Sequence, residues 1–195
     1  MPLPKLCFAT NNEHKLKEVS AMLRSKFEVV GLKDIGCTED IPETQATIEG
    51  NSAQKARYVK AHYGIDCFAD DTGLEVIALN NEPGVFSARY AGPQRNSEDN
   101  IQLLLKNLAD KADRSARFKT VFTLILSGEE HTFTGIVNGK IIKEKRGESG
   151  FGYDPIFVPE DYEKTFAEMS AEEKNEISHR GLAVAQLVDF LERLD

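Results

Sequence analysis

The stretch Lys5-Leu6-Cys7-Phe8-Ala9-Thr10-Asn11-Asn12-Glu13-His14-Lys15-Leu16 changes its period within a dozen residues, and that change decides the fold. Lys5 to Thr10 reads as a short buried strand that runs directly into Asn11-Asn12. Beyond it, Leu16, Val19 and Leu23 recur at helical spacing, with Lys17, Glu18 and Arg24 off that face. Strand, short polar turn and helix start in that order make an anion-binding corner, because backbone N–H groups and the positive end of the helix dipole point the same way. Thr10 to Lys15 supply hydroxyl, amide and ammonium donors there. The plainer reading is an N-cap with an exposed lysine. A P-loop is excluded, since G-x-x-x-x-G-K is absent.

Outward from this corner, helices and strands keep alternating. A helix is predicted from near Thr47 to Tyr63, ended by Gly64, after an acidic and irregular Gly31 to Pro42. Asp66 to Ala69 reads as a strand stopped by a turn at Asp70-Asp71-Thr72-Gly73, with strand resuming over Leu74 to Leu79. Asn80 to Asn96 is loop-like, and its Pro83 to Tyr90 segment suits an interface, a closing loop or a structural turn. Ser97 caps a helix whose apolar stripe is Ile101, Leu104, Leu105 and Leu108. Arg117 to Leu126 is the longest strand, followed by His131 to Val137 and Lys140 to Lys143 around Asn138-Gly139. Ser170 and Glu173 form a capping box, and a last helix carries Val184, Leu187, Val188 and Leu191. Hairpin and crossover connections together predict an α/β (mixed α+β) fold on one mixed sheet, as a single domain over residues 1–195.

Composition narrows the function. A chain of 195 residues buries about 70% of its unfolded surface, enough to fold without a staple. Its net charge of −8 argues against polymeric nucleic acid as main partner, which needs a basic face. One small anion, offset by a metal and a few lysines, remains compatible. Three cysteines without C-x-x-C spacing fit free thiols in a reducing cytoplasm, with Cys7 and Cys67 buried in apolar runs. Met1-Pro2-Leu3-Pro4 lacks the pattern of a signal peptide, and no membrane segment is expected.

Three further groups could carry chemistry. Adjacent carboxylates at Asp70-Asp71 splay apart, so one can bind a hard cation while the other orients a ligand; taken alone, a bare D-D-x-G reads first as a solvated turn. In Ser149-Gly150-Phe151-Gly152-Tyr153-Asp154-Pro155, flanking glycines let the backbone approach a flat ligand, Phe151 offers a stacking face and Asp154 an acceptor for a base N–H. The plainer alternative is an aromatic turn packed on the sheet. In Lys174-Asn175-Glu176-Ile177-Ser178-His179-Arg180-Gly181, Ser178 caps the last helix and leaves His179 and Arg180 in its first turn. Cations there oppose the helix dipole unless an acceptor-rich ligand faces them.

With these residues in view, the chain resembles the inosine/xanthosine triphosphate pyrophosphatases, the HAM1-like family. The likeness rests on Thr10-x-Asn12-x-x-Lys15, on Glu43-Thr44 with Asn51 and Lys55, and on Ala69-Asp70-Asp71-Thr72-Gly73-Leu74. It continues through Pro83 to Tyr90, Gly150 to Phe157, Lys164 to Glu168 and Ser178-His179-Arg180-Gly181. The resemblance implies an elongated mixed sheet with two lobes and the active site in the cleft between them, in a cytoplasmic homodimer. It implies Mg2+ held by Glu43 and Asp71, with Asp71 as general base and Lys15 as the catalytic cation. Substrate contacts would come from Thr10, Asn11, Asn12, Glu13, His14, Lys15, Lys55 and Thr72 on the phosphate side. Phe151, Gly152, Tyr153, Asp154, Lys174, His179 and Arg180 would read the base. Asn11 and His14 stand where the family commonly has Gly, and Thr72 where it has Ser.

The implied reaction is hydrolysis of a small-molecule substrate, ITP, dITP or XTP, to monophosphate and pyrophosphate. A Maf-type pyrophosphatase acting on pyrimidine or modified nucleotides, and a nucleotide-sensing module without turnover, are the competing readings.

Overall fold

The computed structural model describes residues 2–194, without the side chains of His14 and Glu18. The chain forms β1 (Lys5–Phe8), α1 (Glu13–Leu23), β2 (Glu28–Val30), α2 (Ile48–Tyr63), β3 (Cys67–Val76) and β4 (Glu82–Pro83). It continues with α3 (Ser97–Asn107), β5 (Ser115–Leu126), β6 (Glu129–Ile141), β7 (Phe157–Pro159), α4 (Ala171–Ile177) and α5 (His179–Glu192). The strands make one seven-stranded sheet in the order β2-β1-β3-β5-β6-β7, with β4 paired to β3. Its pairing is mixed: β1 lies parallel to β2 and β3, while β3–β4 and β6–β7 are antiparallel. The expected mixed α+β class is therefore the observed one.

The chain divides into two compact units, the first being 1–71, 121–134 and 183–195 and the second 72–120 and 135–182. The first unit holds two apolar clusters. One gathers Leu6, Phe8, Phe68 and Phe122 with Val184, Leu187 and Leu191 of α5, and the Phe8 and Phe68 rings stack at 4.5 Å. The other surrounds Cys7, Cys67, Ala56 and Val59. All three cysteines are free and buried, as expected for Cys7 and Cys67. The second unit packs Leu74, Leu104, Phe118, Phe157 and Phe166.

Local signals set most boundaries. Thr47 accepts the Gly50 N–H at the start of α2, and Gly64 closes that helix in the left-handed region. Ser170 and Glu173 form the expected capping box of α4. Two breaks read from the sequence do not exist. Asp70-Asp71-Thr72-Gly73 is not a turn: β3 runs unbroken from Cys67 to Val76 through it. β6 likewise runs unbroken through Asn138-Gly139. Ladder pairing overrides the local turn preference at both places, and Gly139 is tolerated because a Cβ there would strike the Val158 carbonyl of β7. The cap of α3 is Asn96, one residue earlier than Ser97.

Candidate active site

In the first unit, α1 starts on an Asn12 cap. The Asn12 Oδ1 accepts the Lys15 N–H at 3.2 Å, and Thr10 Oγ1 accepts the Asn12 N–H at 3.1 Å. Thr10, Asn11, Asn12 and Glu13 wall a cavity of about 220 Å³ whose far side is Gly31 to Asp34. Asn12 is a cap, as the plainer reading of the corner had it, and the corner is concave; the exposed lysine of that reading is not found, because Lys15 pairs with Asp70. The side chain of His14 lies outside the described residues.

Lys15 is not on that cavity wall. Its Nζ meets Asp70 Oδ2 at 2.6 Å, and Asp70 is almost wholly buried. Alternation along β3 explains the different settings of the two acids: Asp70 is buried, while Asp71 is partly open. From α2, Lys55 donates to Glu43 Oε1 at 2.5 Å. Burial alone would lower the pKa of this lysine. The carboxylates of Asp70, Glu43 and Asp71 outweigh it and hold the Lys55 pKa above its usual 10.5. Asp70, Asp71 and Glu43 thus share one neighbourhood with Lys15 and Lys55, which leaves the acids in excess.

That donor set fits Mg2+ in kind. The ion takes hard oxygen ligands, and one or two carboxylates suffice when substrate phosphates supply the rest. No group of three metal-ligating side chains is gathered among the described residues, and Mg2+ bound in that manner needs none. Two polar side chains of α2, which carried no assigned role in the sequence, build this neighbourhood. Buried Ser52 donates to the Ala69 carbonyl at 3.0 Å, just before Asp70, and bonds Thr123 Oγ1 at 2.9 Å. Asn51 Oδ1 accepts the Gln45 N–H at 2.9 Å and so holds the segment that follows Glu43. Their signal was present as polar residues on the buried side of an amphipathic helix.

In the second unit, Phe151 protrudes between Gly150 and Gly152, both at positive φ, and is 62% exposed. A Cβ on Gly150 would collide with the Asp154 carboxylate, so glycine is required. Asp154 itself is buried. Its Oδ2 accepts the Phe151 N–H at 2.8 Å and the Lys174 Nζ at 2.6 Å. This oxygen therefore shapes the turn from within. Lys174 Nζ lies 4.6 Å from the Phe151 ring centroid and the Arg180 guanidinium 5.5 Å from it. The Tyr153 ring is buried in the core, and its hydroxyl donates to the Ser87 carbonyl at 2.8 Å.

Phe151, Gly152, Asp154, His179, Arg180 and Thr72 line a cavity of about 230 Å³. Thr72 also bonds Thr120 Oγ1 at 2.7 Å. As expected, Ser178 caps α5, accepting the Gly181 N–H at 3.0 Å. His179 stacks on Phe118 with ring centroids 4.7 Å apart. Arg180 Nε is buried without a hydrogen-bond acceptor. Ser87, Arg95, Ser97 and Asn100 line the same cavity. The sequence reading had named Ser97 as a helix cap and placed Ser87 in a segment suited to an interface, a closing loop or a structural turn, and had given none of the four a role in a site.

A mixed-sheet protein with a concave strand-to-helix corner, a carboxylate–lysine neighbourhood and an aromatic cavity has the parts of a nucleotide-handling enzyme. The Ham1 family model matches residues 6–190, and the chain belongs to that family. It is 58% identical over 187 residues to a dITP/XTP pyrophosphatase of Flavobacterium johnsoniae, covering 96% of this chain and 97% of that one. It is 55% identical over 190 residues to the dITP/XTP pyrophosphatase of Porphyromonas gingivalis, covering 97% and 98%. Among solved structures it is similar to the Staphylococcus aureus Ham1 protein, with TM-score 0.92 and 40% identity over 96% and 98% of the two chains. A HAM1 protein from Coxiella burnetii gives TM-score 0.94 and 38% identity over 98% and 100%.

Proposed function

We propose that this chain hydrolyses ITP, dITP and XTP to the nucleoside monophosphate and pyrophosphate, and so clears deaminated purines from the nucleotide pool. The single observation that carries this reading is a buried donor left without an acceptor in the second-unit cavity. Arg180 Nε is buried with no acceptor, beside an exposed aromatic face at Phe151. A flat, acceptor-rich ligand suits both, and a 6-keto purine is one. Adenine would place a 6-amino donor against donors, leaving buried groups unpaired, a mismatch worth about 10^4-fold. The names of the relatives point the same way.

Water attacks the α-phosphorus. Asp71 takes the proton from that water, and Lys15 and Lys55 offset charge on the departing pyrophosphate. Thr10 to Lys15 bind the triphosphate through the α1 N-terminus, with Lys55 and Thr72 as further phosphate contacts. Mg2+, held by Glu43 and Asp71, would neutralise phosphate charge and polarise the phosphoryl oxygens. Phe151 stacks on the base, with Gly152 giving the backbone room; His179 and Arg180 meet its edge, and Lys174 acts from its pair with Asp154. We place the enzyme in the cytoplasm as a homodimer, as the family resemblance implies. Among the described residues no helix is long and apolar enough to cross a membrane.

One assay tests this reading: pyrophosphate release with Mg2+ from ITP, dITP, XTP, GTP, ATP and dTTP. ITP, dITP and XTP should be turned over far faster than ATP. Release from none of them identifies a sensing module, and dTTP as best substrate identifies a Maf-type enzyme; either result overturns the proposal.

A further inference from the structure

Ser87 stands where three segments of the second unit meet. Its Oγ accepts the Leu74 N–H of β3 at 2.8 Å and donates to the Gly84 carbonyl at 2.6 Å. Its carbonyl accepts the Tyr153 hydroxyl at 2.8 Å. Asn100, buried on α3, braces the same loop. Its Oδ1 accepts the Ala91 N–H at 2.7 Å, and its Nδ2 donates to the Ala88 carbonyl at 3.1 Å and the Ser87 carbonyl at 3.4 Å.

Every one of these bonds is made inward, yet Ser87 and Asn100 also line the cavity that holds Phe151, Asp154 and Arg180. Tyr153 lies between Gly152 and Asp154, so wherever its hydroxyl is fixed, the turn bearing Phe151 is fixed too. Asp154 adds a restraint that ties the turn to Lys174, and the Ser149 N–H bonds the Ala167 carbonyl at 3.2 Å. The Tyr153 hydroxyl joins the turn to the 84–91 loop.

We propose that Ser87 is a positioning residue for base recognition. It sets the base-binding turn against β3 through the Tyr153 hydroxyl, with Asn100 fixing the loop from behind. This rests on the keto-purine reading above and deepens it. Losing Oγ leaves the Leu74 N–H without its acceptor and releases the Ser87 carbonyl from its tie to the strand. Removing one such bond costs about a factor of ten where the bond matters only for binding.

The test compares Ser87→Ala and Ser87→Thr with wild type in steady-state hydrolysis of ITP and ATP. For Ser87→Ala the KM for ITP should rise about tenfold with kcat within about twofold, and the ITP-over-ATP selectivity should fall by a similar factor. Ser87→Thr, which keeps the hydroxyl, should recover most of both. Selectivity unchanged in Ser87→Ala, or equal impairment in Ser87→Thr, overturns the proposal. If Ser87→Ala does not fold, Tyr153→Phe removes the other end of the link. It must then show the same selectivity loss, and wild-type selectivity in it overturns the proposal. A wild-type enzyme inactive on ITP would sink the functional reading instead, so the two failures are distinguishable.

Discussion

Each unit contains one buried aspartate closed by a lysine at 2.6 Å: Asp70 with Lys15 in the first, Asp154 with Lys174 in the second. The pairs look alike but sit in opposite surroundings. Asp70 shares its neighbourhood with Lys55, Glu43 and Asp71, so charge there is plural and can be redistributed when a polyanion arrives. Asp154 has Phe151 N–H and Lys174 on one oxygen, and the lysine lies between the Phe151 and Phe166 rings. That charge is closed off and serves shape. A contact distance therefore says little about what an ion pair does; the company it keeps decides.

The largest expected effect falls on the charge-rich side. Asp71→Asn keeps the volume and removes the proton acceptor, so kcat for ITP should drop about 10^3-fold with an almost unchanged melting temperature. Near-normal pyrophosphate release would refute the role given to Asp71.

Next, the two pairs should respond unequally to loss of the lysine. Lys174→Met strands the Asp154 charge and should cost about 3 kcal/mol of unfolding free energy. Lys15→Met should cost clearly less, because Lys55 stays near Asp70. Equal losses in urea melts would break the comparison.

A third difference is confined to the first unit. Burial first, then the charge of neighbouring thiols and acids, pushes Cys7 from 9.0 to about 12. Cys67 rises to about 12 as well, chiefly by burial. Above pH 9 the unfolded thiols ionise while the folded ones stay protonated, so the native state binds more protons and stability falls as pH rises. Between pH 9 and 12 each thiol should remove about 1.4 kcal/mol per pH unit. Cys67→Ala should flatten the fall in melting temperature over that range, and an unchanged slope would count against this origin. The smallest effect is local: Ser170→Ala unties the α4 cap and should cost about 1 kcal/mol by the same melts.

The sequence made α1, α2 and α5 legible because helical apolar spacing and caps such as Thr47 and Ser170 act within a few residues. It misled at Asp70 to Gly73 and at Asn138-Gly139, where turn-forming residues are held in strands by partners far along the chain. In the candidate site, Asp71, Lys15, Phe151 and Arg180 could be singled out from residue type and neighbours. The roles of Ser52, Asn51, Ser87 and Asn100 could not, since each bonds a partner 17, 6, 13 and 9 residues away respectively. Nor could the inward commitment of Asp154 be foreseen, because a carboxylate beside glycines looks the same whether it faces a ligand or its own backbone.

The first unit takes its third segment from the end of the chain, with Ala183, Val184, Leu187 and Leu191 of α5 completing the cluster around Leu6 and Phe8. During synthesis that cluster stays unfinished until α5 leaves the ribosome, long after β1 has emerged. A stop codon shortly after Leu182 would thus release a chain with its earliest-made strand uncovered, a natural mark for proteolysis.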